Sequence, residues 1–340
     1  RKVMVFNRSK SPWTWRNILL TGFSLYPFLV IRNLAGDQKK AIEKELDQDD
    51  YDLIHAETFY VMPHIPKTRV PILLVEQTIE YLVYKHYVEE QAPLLSKLPF
   101  WIDVMKLKYW ETHFWKKAKK VVAMSQSDKQ EMKKLVPNLK IDIVPNGIDY
   151  EYFCGKPKIK NLKSPKVLYV GNFKWLQNIE AVQILISDIW PKIKSQIPKA
   201  KLWIVGMNIT PKIQKFASSD IEITQAVPDI RDAYREASLL LAPIKGPGGT
   251  RLKILEAMAS GLPVITTKVG AEGLGVVNGQ EALIADTPED LVSMAVRIIK
   301  DAKLSDSLSE LGRQFVKRNY IWEKSANILD KIYTKVVNEE

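Results

Sequence analysis

The sequence predicts an α/β protein built from two doubly wound, Rossmann-like domains that face each other across a cleft. Three observations predict it. The chain has 340 residues, enough for two domains each with its own core. Short β-branched runs alternate with helical stretches, which is the pattern of parallel sheets covered on both faces. That alternation occurs twice, on either side of a polar, basic segment marked by Pro and Gly at 152–166. The reading is 1–155 for the first domain, 156–318 for the second, and a C-terminal segment, 319–340, with a helix at 320–336.

The elements follow in order. "KVMVFNRSK" reads as a strand, and "ILLTGFSLYPFLVI" at 18–31 as an apolar run interrupted by Gly22 and Pro27. That run falls short of the ~20 residues of a membrane-spanning helix. "YDLIHAE", "VPILLVE", "KKVVAMS" and "KIDIV" are buried-type strands, separated by helices at 39–46, 98–119 and 128–135. After the boundary come strand "VLYVG", helix 179–194, strand "KLWIVG", helix 210–217, strand "IEITQAV", helix 230–237 and strand "LLLAPI". Then "GPGGTRLKILEAMASGLPVITT" reads as glycine loop, helix, turn and strand. Gly261 stops the helix, Pro263 enforces the stop, and β-branched residues resume the sheet.

Composition narrows the function classes. A single cysteine, Cys154, allows no intrachain disulfide and suits a reducing compartment. Four histidines without a Cys/His cluster argue against structural zinc. The net charge of +11 asks for an acidic partner: phosphates of a small donor, anionic lipid, or nucleic acid. With no zinc-finger spacing and no RNP-like aromatic pattern, nucleic acid is set aside.

The glycine loop is the most informative stretch. A loop that opens a helix exposes backbone N–H groups backed by the helix dipole, an anion site. Arg251 and Lys253 add two cations, and Glu256 follows one turn further in. On a surface helix Lys253 and Glu256 would instead be an i,i+3 ion pair. Asp229 has the type and position of an N-cap for the helix starting at Ile230.

"VPNGID" (144–149), "VLYVGNF" (167–173), "LWIVG" (202–206), "VPDIRDAYREASLLLAPI" (227–244) and "GGTRLKILEAMASGLPVITT" together resemble the family-4, nucleotide-sugar-dependent retaining glycosyltransferases of GT-B fold, in the subgroup with "GGTRLKILEAMA". The resemblance implies transfer of a hexose or related sugar from a nucleoside diphosphate to a glycan or lipid-linked acceptor, in cell-envelope or exopolysaccharide synthesis. It implies no metal and no cofactor, and a C-terminal helix, in 319–340, that returns to pack on the first domain. It implies that Gly171, Lys174, Val227, Gly249, Thr250, Arg251, Leu252 and Lys253 bind the donor, and that Glu256 accepts hydrogen bonds from its ribose hydroxyls. A carboxylate suits a vicinal diol because it is acceptor-only. Fixed donors near the diphosphate would stabilise the charge that develops as the glycosidic bond breaks. In the family the leaving phosphate is thought to act as base, so no protein nucleophile is nominated.

The chain departs from the family pattern twice. Gly248 stands where many members carry a sugar-contacting glutamate. Asn172 and Gln177 stand about where an Arg and a Lys usually aim at the phosphates; Lys174 can substitute, and otherwise Arg251 and Lys253 carry the phosphate charge alone.

In the first domain, "LIHAE" places His55 and Glu57 on one face of a strand end by the period of two. They resemble the family's residues that orient the acceptor or steady charge at the anomeric carbon, so Arg251, Lys253, Glu57 and His55 are the candidate catalytic set. Glu76 and Glu80 offer carboxylates on the acceptor side. "DQDDYD" at 47–52 reads as a solvated turn rather than a metal motif. From 97 to 120 seven lysines interleave with aromatics, which suits an anionic membrane surface, although Phe100, Val104, Leu107 and Phe114 also fall at core spacing around Glu111. The location implied is cytoplasmic, peripheral at the inner membrane face. Family members open with a strand, a glycine-rich loop and a helix that this chain lacks, so the first domain is expected to miss about two strand–helix units. Two rival readings remain: a non-catalytic nucleotide-sugar- or polyanion-binding protein, and a GT-B nucleotide-sugar epimerase.

Overall fold

The computed structural model describes residues 2–8, 11–155 and 164–338. The heart of the presumed linker, 156–163, lies outside them. The chain forms two compact units. One comprises residues up to Pro145, Gly248–Thr250 and residues from Ala326; the other comprises Asn146–Pro247 and Arg251–Ser325. The division thus passes ahead of the polar segment, because Ile148 and Phe153 are buried in the second unit's core.

The first unit holds a parallel sheet of four strands in sequence order: β1 (Ile54–Glu57), β2 (Ile72–Glu76), β3 (Lys120–Ala123) and β4 (Ile141–Ile143). β2 and β3 are buried along their whole length, as expected of strands covered on both faces. On one face lie Leu107, Phe114 and Trp115 from the long helix Leu94–Lys117. On the other lie Ile332 and Val336 from the C-terminal helix Trp322–Asn338, packed against Leu73, Val75 and Val122.

Residues 2–8 form no strand, contrary to the reading of "KVMVF". Val3 and Val5 are each 85% exposed, so their alternation has no sheet against which to bury. The apolar run at 18–31 is split between helices Trp15–Phe23 and Phe28–Asn33, with Pro27 capping the second. In the helix Leu94–Lys117 the expected core stripe is largely real: Val104, Leu107 and Phe114 are buried. Its opposite face is the unexpected one. Leu95, Leu98, Ile102, Met105 and Tyr109 recur at helical spacing and are all more than half exposed. Lys106 Nζ donates to the carbonyls of Thr21 and Ser24, and Trp110 Nε1 to that of Leu25. These bonds set the exposed Phe23 and Leu25 beside the same helix.

Glu111 explains itself once its surroundings are known. The helix Glu80–Glu90 begins with no side-chain cap of its own. Glu111 supplies one from another element, accepting from the N–H groups of Glu80 at 2.7 Å and Tyr81 at 3.1 Å. Burial nevertheless pushes its carboxyl up to about 8.

The second unit is a six-stranded parallel sheet in the order β10-β9-β8-β5-β6-β7. Its strands are β5 (Lys166–Asn172), β6 (Lys201–Met207), β7 (Ile221–Gln225), β8 (Leu239–Ala242), β9 (Val264–Thr266) and β10 (Leu283–Ile284). Counted within the unit this is 3-2-1-4-5-6 in mirror view, the doubly wound dinucleotide-fold order. The helix expected at 179–194 begins at Leu176 and runs to Gln196 through a π-turn at Leu185–Ile189, next to Pro191, which lacks an N–H for the regular ladder.

Candidate functional site

In a doubly wound sheet, ligands bind where the strand order reverses, outside the carboxyl ends of the strands. Here that point lies between β5 and β8, which are neighbours in the sheet but distant in sequence. β5 ends in Gly171–Asn172, and β8 leads into the glycine loop and the helix Leu252–Ala259. The most informative stretch of the sequence therefore emerges at the place the topology prepares for a ligand.

Two glycines make the strand ends compact. Gly171 and Gly206 are register partners on β5 and β6. A Cβ on Gly206 would lie 1.9 Å from the Gly171 carbonyl oxygen. A Cβ on Gly171 would lie 3.0 Å from Asn178 Cγ, so its absence lets the Asn178 amide settle against the strand end.

The helix Leu252–Ala259 starts without a side-chain cap, leaving its first N–H groups for another acceptor. It begins at Leu252 rather than Arg251, which occupies the cap position. Arg251 is 8% exposed, and its Nη2 donates to the Gly246 carbonyl at 2.7 Å. The arginine expected on a phosphate thus braces the glycine loop from within. Leu252 is partly exposed at the helix start. Lys253 draws its ammonium inward: Nζ donates to Asn178 Oδ1 at 2.5 Å and to Tyr169 Oη at 3.2 Å, and lies 4.5 Å from the Tyr169 ring centre. Burial, aided by the nearby Arg251, pushes Lys253 down to about 7. Glu256 accepts from Tyr234 Oη at 2.8 Å through Oε2 and is raised by burial. Among the described residues Lys253 and Glu256 form no ion pair with each other, so the surface-pair reading is set aside.

Asn172 and Gln177 were noted as missing cations. Close to them in space lies a cation from another segment: Lys253, from the far side of the switch point, reaches Asn178 one residue beyond Gln177. Lys174 is exposed, with its backbone N–H on Asn172 Oδ1. Val227 is half-buried after β7, and Ala226 before it has φ +58, a left-handed conformation unusual for a residue with a Cβ. Asp229 does cap the helix Ile230–Glu236, accepting from Arg231 N–H at 2.9 Å. Tyr169, Asn178 and Tyr234 were missed from the sequence, where nothing local marks them as partners of Lys253 and Glu256.

In the first unit, His55 and Glu57 share a face as read: His55 Nε2 and Glu57 Oε1 are 2.9 Å apart. Gln77 Nε2 donates to Glu57 Oε2 at 3.1 Å, and His55 Nδ1 pairs with Tyr333 Oη of the C-terminal helix. The His55 contact holds Glu57 below the usual carboxylate range. Glu76 does not join this cluster. It is 2% exposed and accepts from Trp115 Nε1 at 3.0 Å, because the residue ending β2 points into the core under the long helix. Burial and the neighbouring Glu111 raise it. Glu80 is half-buried and pushed up to about 7 by burial. Gly249 and Thr250 group with the first unit, where a Cβ on Gly249 would come 2.6 Å from the Gln77 carbonyl oxygen. The acidic residues of 47–52 are exposed.

Both halves match known families. Residues 10–152 match the model described as Glycosyltransferase Family 4, and residues 164–301 that described as Glycosyl transferases group 1. The chain belongs to the family-4 glycosyltransferases. Among relatives of this glycosyltransferase, an uncharacterized 44.6 kDa protein in the cps region of Klebsiella pneumoniae is 22% identical over 79% of the chain and 71% of that protein. An uncharacterized glycosyltransferase of Methanocaldococcus jannaschii is 26% identical over 64% of the chain and 60% of its own length. The chain thus spans under two thirds of some of the curated relatives it matches. The fold is GT-B: the Anabaena protein HepE, solved with UDP and glucose, superposes with a TM-score of 0.63 at 14% identity, over 90% of this chain and 82% of that one.

Proposed function

We propose that this glycosyltransferase moves a sugar from a nucleoside-diphosphate donor to a glycan or lipid-linked acceptor with retention at the anomeric carbon, in cell-envelope or exopolysaccharide synthesis on the cytoplasmic side. The observation that carries the donor assignment is the set at the switch point: an uncapped helix start, a glycine loop braced by Arg251, and Lys253 and Glu256 on successive turns. The helix N–H groups and the Lys253 ammonium would take the diphosphate, and Glu256 the ribose diol. As the glycosidic bond breaks, negative charge grows on the leaving diphosphate, and fixed donors already aimed there favour the transition state over the ground state. The family resemblance makes the leaving phosphate the base and needs no metal. The His55–Glu57–Gln77–Tyr333 cluster would serve the acceptor side. The Klebsiella relative's place in a cps region supports the envelope reading, and HepE's complex with UDP and glucose supports the donor class.

Two experiments test this. In calorimetric titrations with UDP, GDP and ADP, one base should bind, and Arg251→Ala should weaken that diphosphate by roughly 1.5–3 kcal/mol while sparing the nucleoside. The loss acts through the loop that Arg251 braces. Equal weakening of both ligands would remove the phosphate assignment. Turnover of the matching nucleotide sugar distinguishes transfer from binding alone and from epimerisation.

The acceptor side includes a surface. No helix among the described residues is long and apolar enough to cross a membrane. The exposed stripe from Leu95 to Tyr109 and the neighbouring Phe23 and Leu25 would instead rest on an anionic bilayer. The charge pattern favours lipid: the helix's carboxylates turn inward, Asp103 to the Phe28 N–H and Glu111 to Glu80 and Tyr81, while Lys116, Lys117 and Arg16 stay exposed. The protein should sediment with phosphatidylglycerol vesicles, less with phosphatidylcholine, and Leu98→Glu/Ile102→Glu should release it. Concentration-dependent dimerisation without vesicle binding would assign the stripe to a second copy instead.

A further inference from the structure

The ammonium of Lys253 has an unusual set of partners for a buried-facing cation. Its described neighbours are neutral: the Asn178 amide oxygen, the Tyr169 hydroxyl and the Tyr169 ring. The charged groups around it do not neutralise it. Arg251, on the same chain turn, opposes it. Glu256, one turn on, favours its charge but is turned to Tyr234. Tyr169 and Tyr234 are held neutral by burial, which raises both phenols.

Asn178 is the hub. It is 6% exposed. Its Nδ2 donates to the Asn172 carbonyl at 2.8 Å, which fixes the amide so that Oδ1 points the other way. That oxygen then accepts from both Lys253 Nζ and Tyr169 Oη, the latter at 2.8 Å. Gly171 leaves the room for this arrangement. Two of the three ammonium donors are thereby spent on neutral oxygens, and the third is left for a ligand. An aspartate of the same shape would supply the missing countercharge; an amide withholds it.

Resting on the donor assignment above, we propose that Asn178 is the positioning residue for Lys253, aiming its amine at the donor diphosphate while denying it a countercharge, so that the diphosphate binds together with a proton. The diphosphate itself then completes the ion pair. Its charge raises the affinity of the amine for protons, and the bound state holds the proton that the free state gives up above neutral pH. Binding of a nucleoside, which brings no phosphate, takes up none.

The test uses the full chain and two readouts. The first does not require a ligand: the ¹³Cε shift of Lys253, followed against pH. It should titrate near 7 in the wild type and at least about two units higher in Asn178→Asp, where a carboxylate of unchanged shape faces the amine. A wild-type midpoint above about 10 overturns the proposal even if no nucleotide binds. The second is calorimetry at pH 8 in buffers of low and high ionisation heat, with whichever of UDP, GDP or ADP binds. The wild type should take up close to one proton per diphosphate and almost none per nucleoside, since about one amine in ten with that midpoint is charged at this pH. Asn178→Asp should abolish the uptake and weaken the diphosphate about tenfold or more. A merely structural role for Asn178 predicts weaker binding with unchanged uptake, and that result overturns the proposal. If no diphosphate binds, the donor assignment fails, and the shift titration still decides whether Asn178 governs the amine.

Discussion

Glu256→Gln is expected to weaken ribonucleoside diphosphate by about 10- to 100-fold, the range of a lost charged hydrogen bond, and to leave a 2′,3′-dideoxy analogue almost unaffected. The argument is one of hydroxyl counting. Tyr234 already occupies Glu256 Oε2 at 2.8 Å, and the carboxylate is half-buried on a helix that buries Leu255 and Ala257 on either side of it. Glutamine keeps an oxygen for Tyr234, so the helix should be undisturbed. It replaces the second acceptor by a donor, which two hydroxyls acting as donors cannot both use. A site built to bond a hydroxyl rejects its loss strongly, so the discrimination should sit in the ribose. Titration of both analogues against both proteins measures it. Equal weakening of the two would show Glu256 to be a structural partner of Tyr234 and nothing more.

Gly206→Ala should cost about 3 kcal/mol or more, at the upper end of single substitutions. The added Cβ would meet the Gly171 carbonyl oxygen at 1.9 Å and Phe173 Cε2 at 2.8 Å. The first neighbour is backbone in the adjacent strand, so no rotamer change relieves it. β5 and β6 would have to part at the end that carries Gly171, Asn172 and the seat of Asn178. Urea unfolding should show a lower midpoint with an unchanged slope, and nucleotide binding should weaken even where the protein remains folded. A loss under about 1 kcal/mol would mean that the strand ends yield more easily than their register implies.

Much of this protein is legible in the residue order because the signals are local. Buried strands such as "ILLVE" and "VLYV" announce themselves by composition, and the glycine loop, helix and strand of 246–267 by turn chemistry and period. Asp229 caps its helix two residues from the N–H it accepts. His55 and Glu57 meet because a strand repeats every two residues. The errors have one cause as well. The valines of "KVMVF" alternate as a strand should, but alternation forms a strand only where a sheet receives it, and Val3 and Val5 find none. Glu76 ends a strand where ligand-facing residues gather, yet the long helix covers that side and Trp115 takes its carboxylate.

The sequence by itself determined the two runs of strand and helix, the place of the glycine loop and the identity of the cation and carboxylate beside it. Only the tertiary structure decided what those groups touch. Arg251 turned back onto Gly246, Glu111 capped a helix 31 positions earlier, and Lys253 reached an asparagine 75 positions away. The last of these partners is set by strand order: placing β5 beside β8 brings the turn after one strand against the helix after the other. No pattern within either segment records that neighbour, because sheet order follows from how the strands bury their faces together.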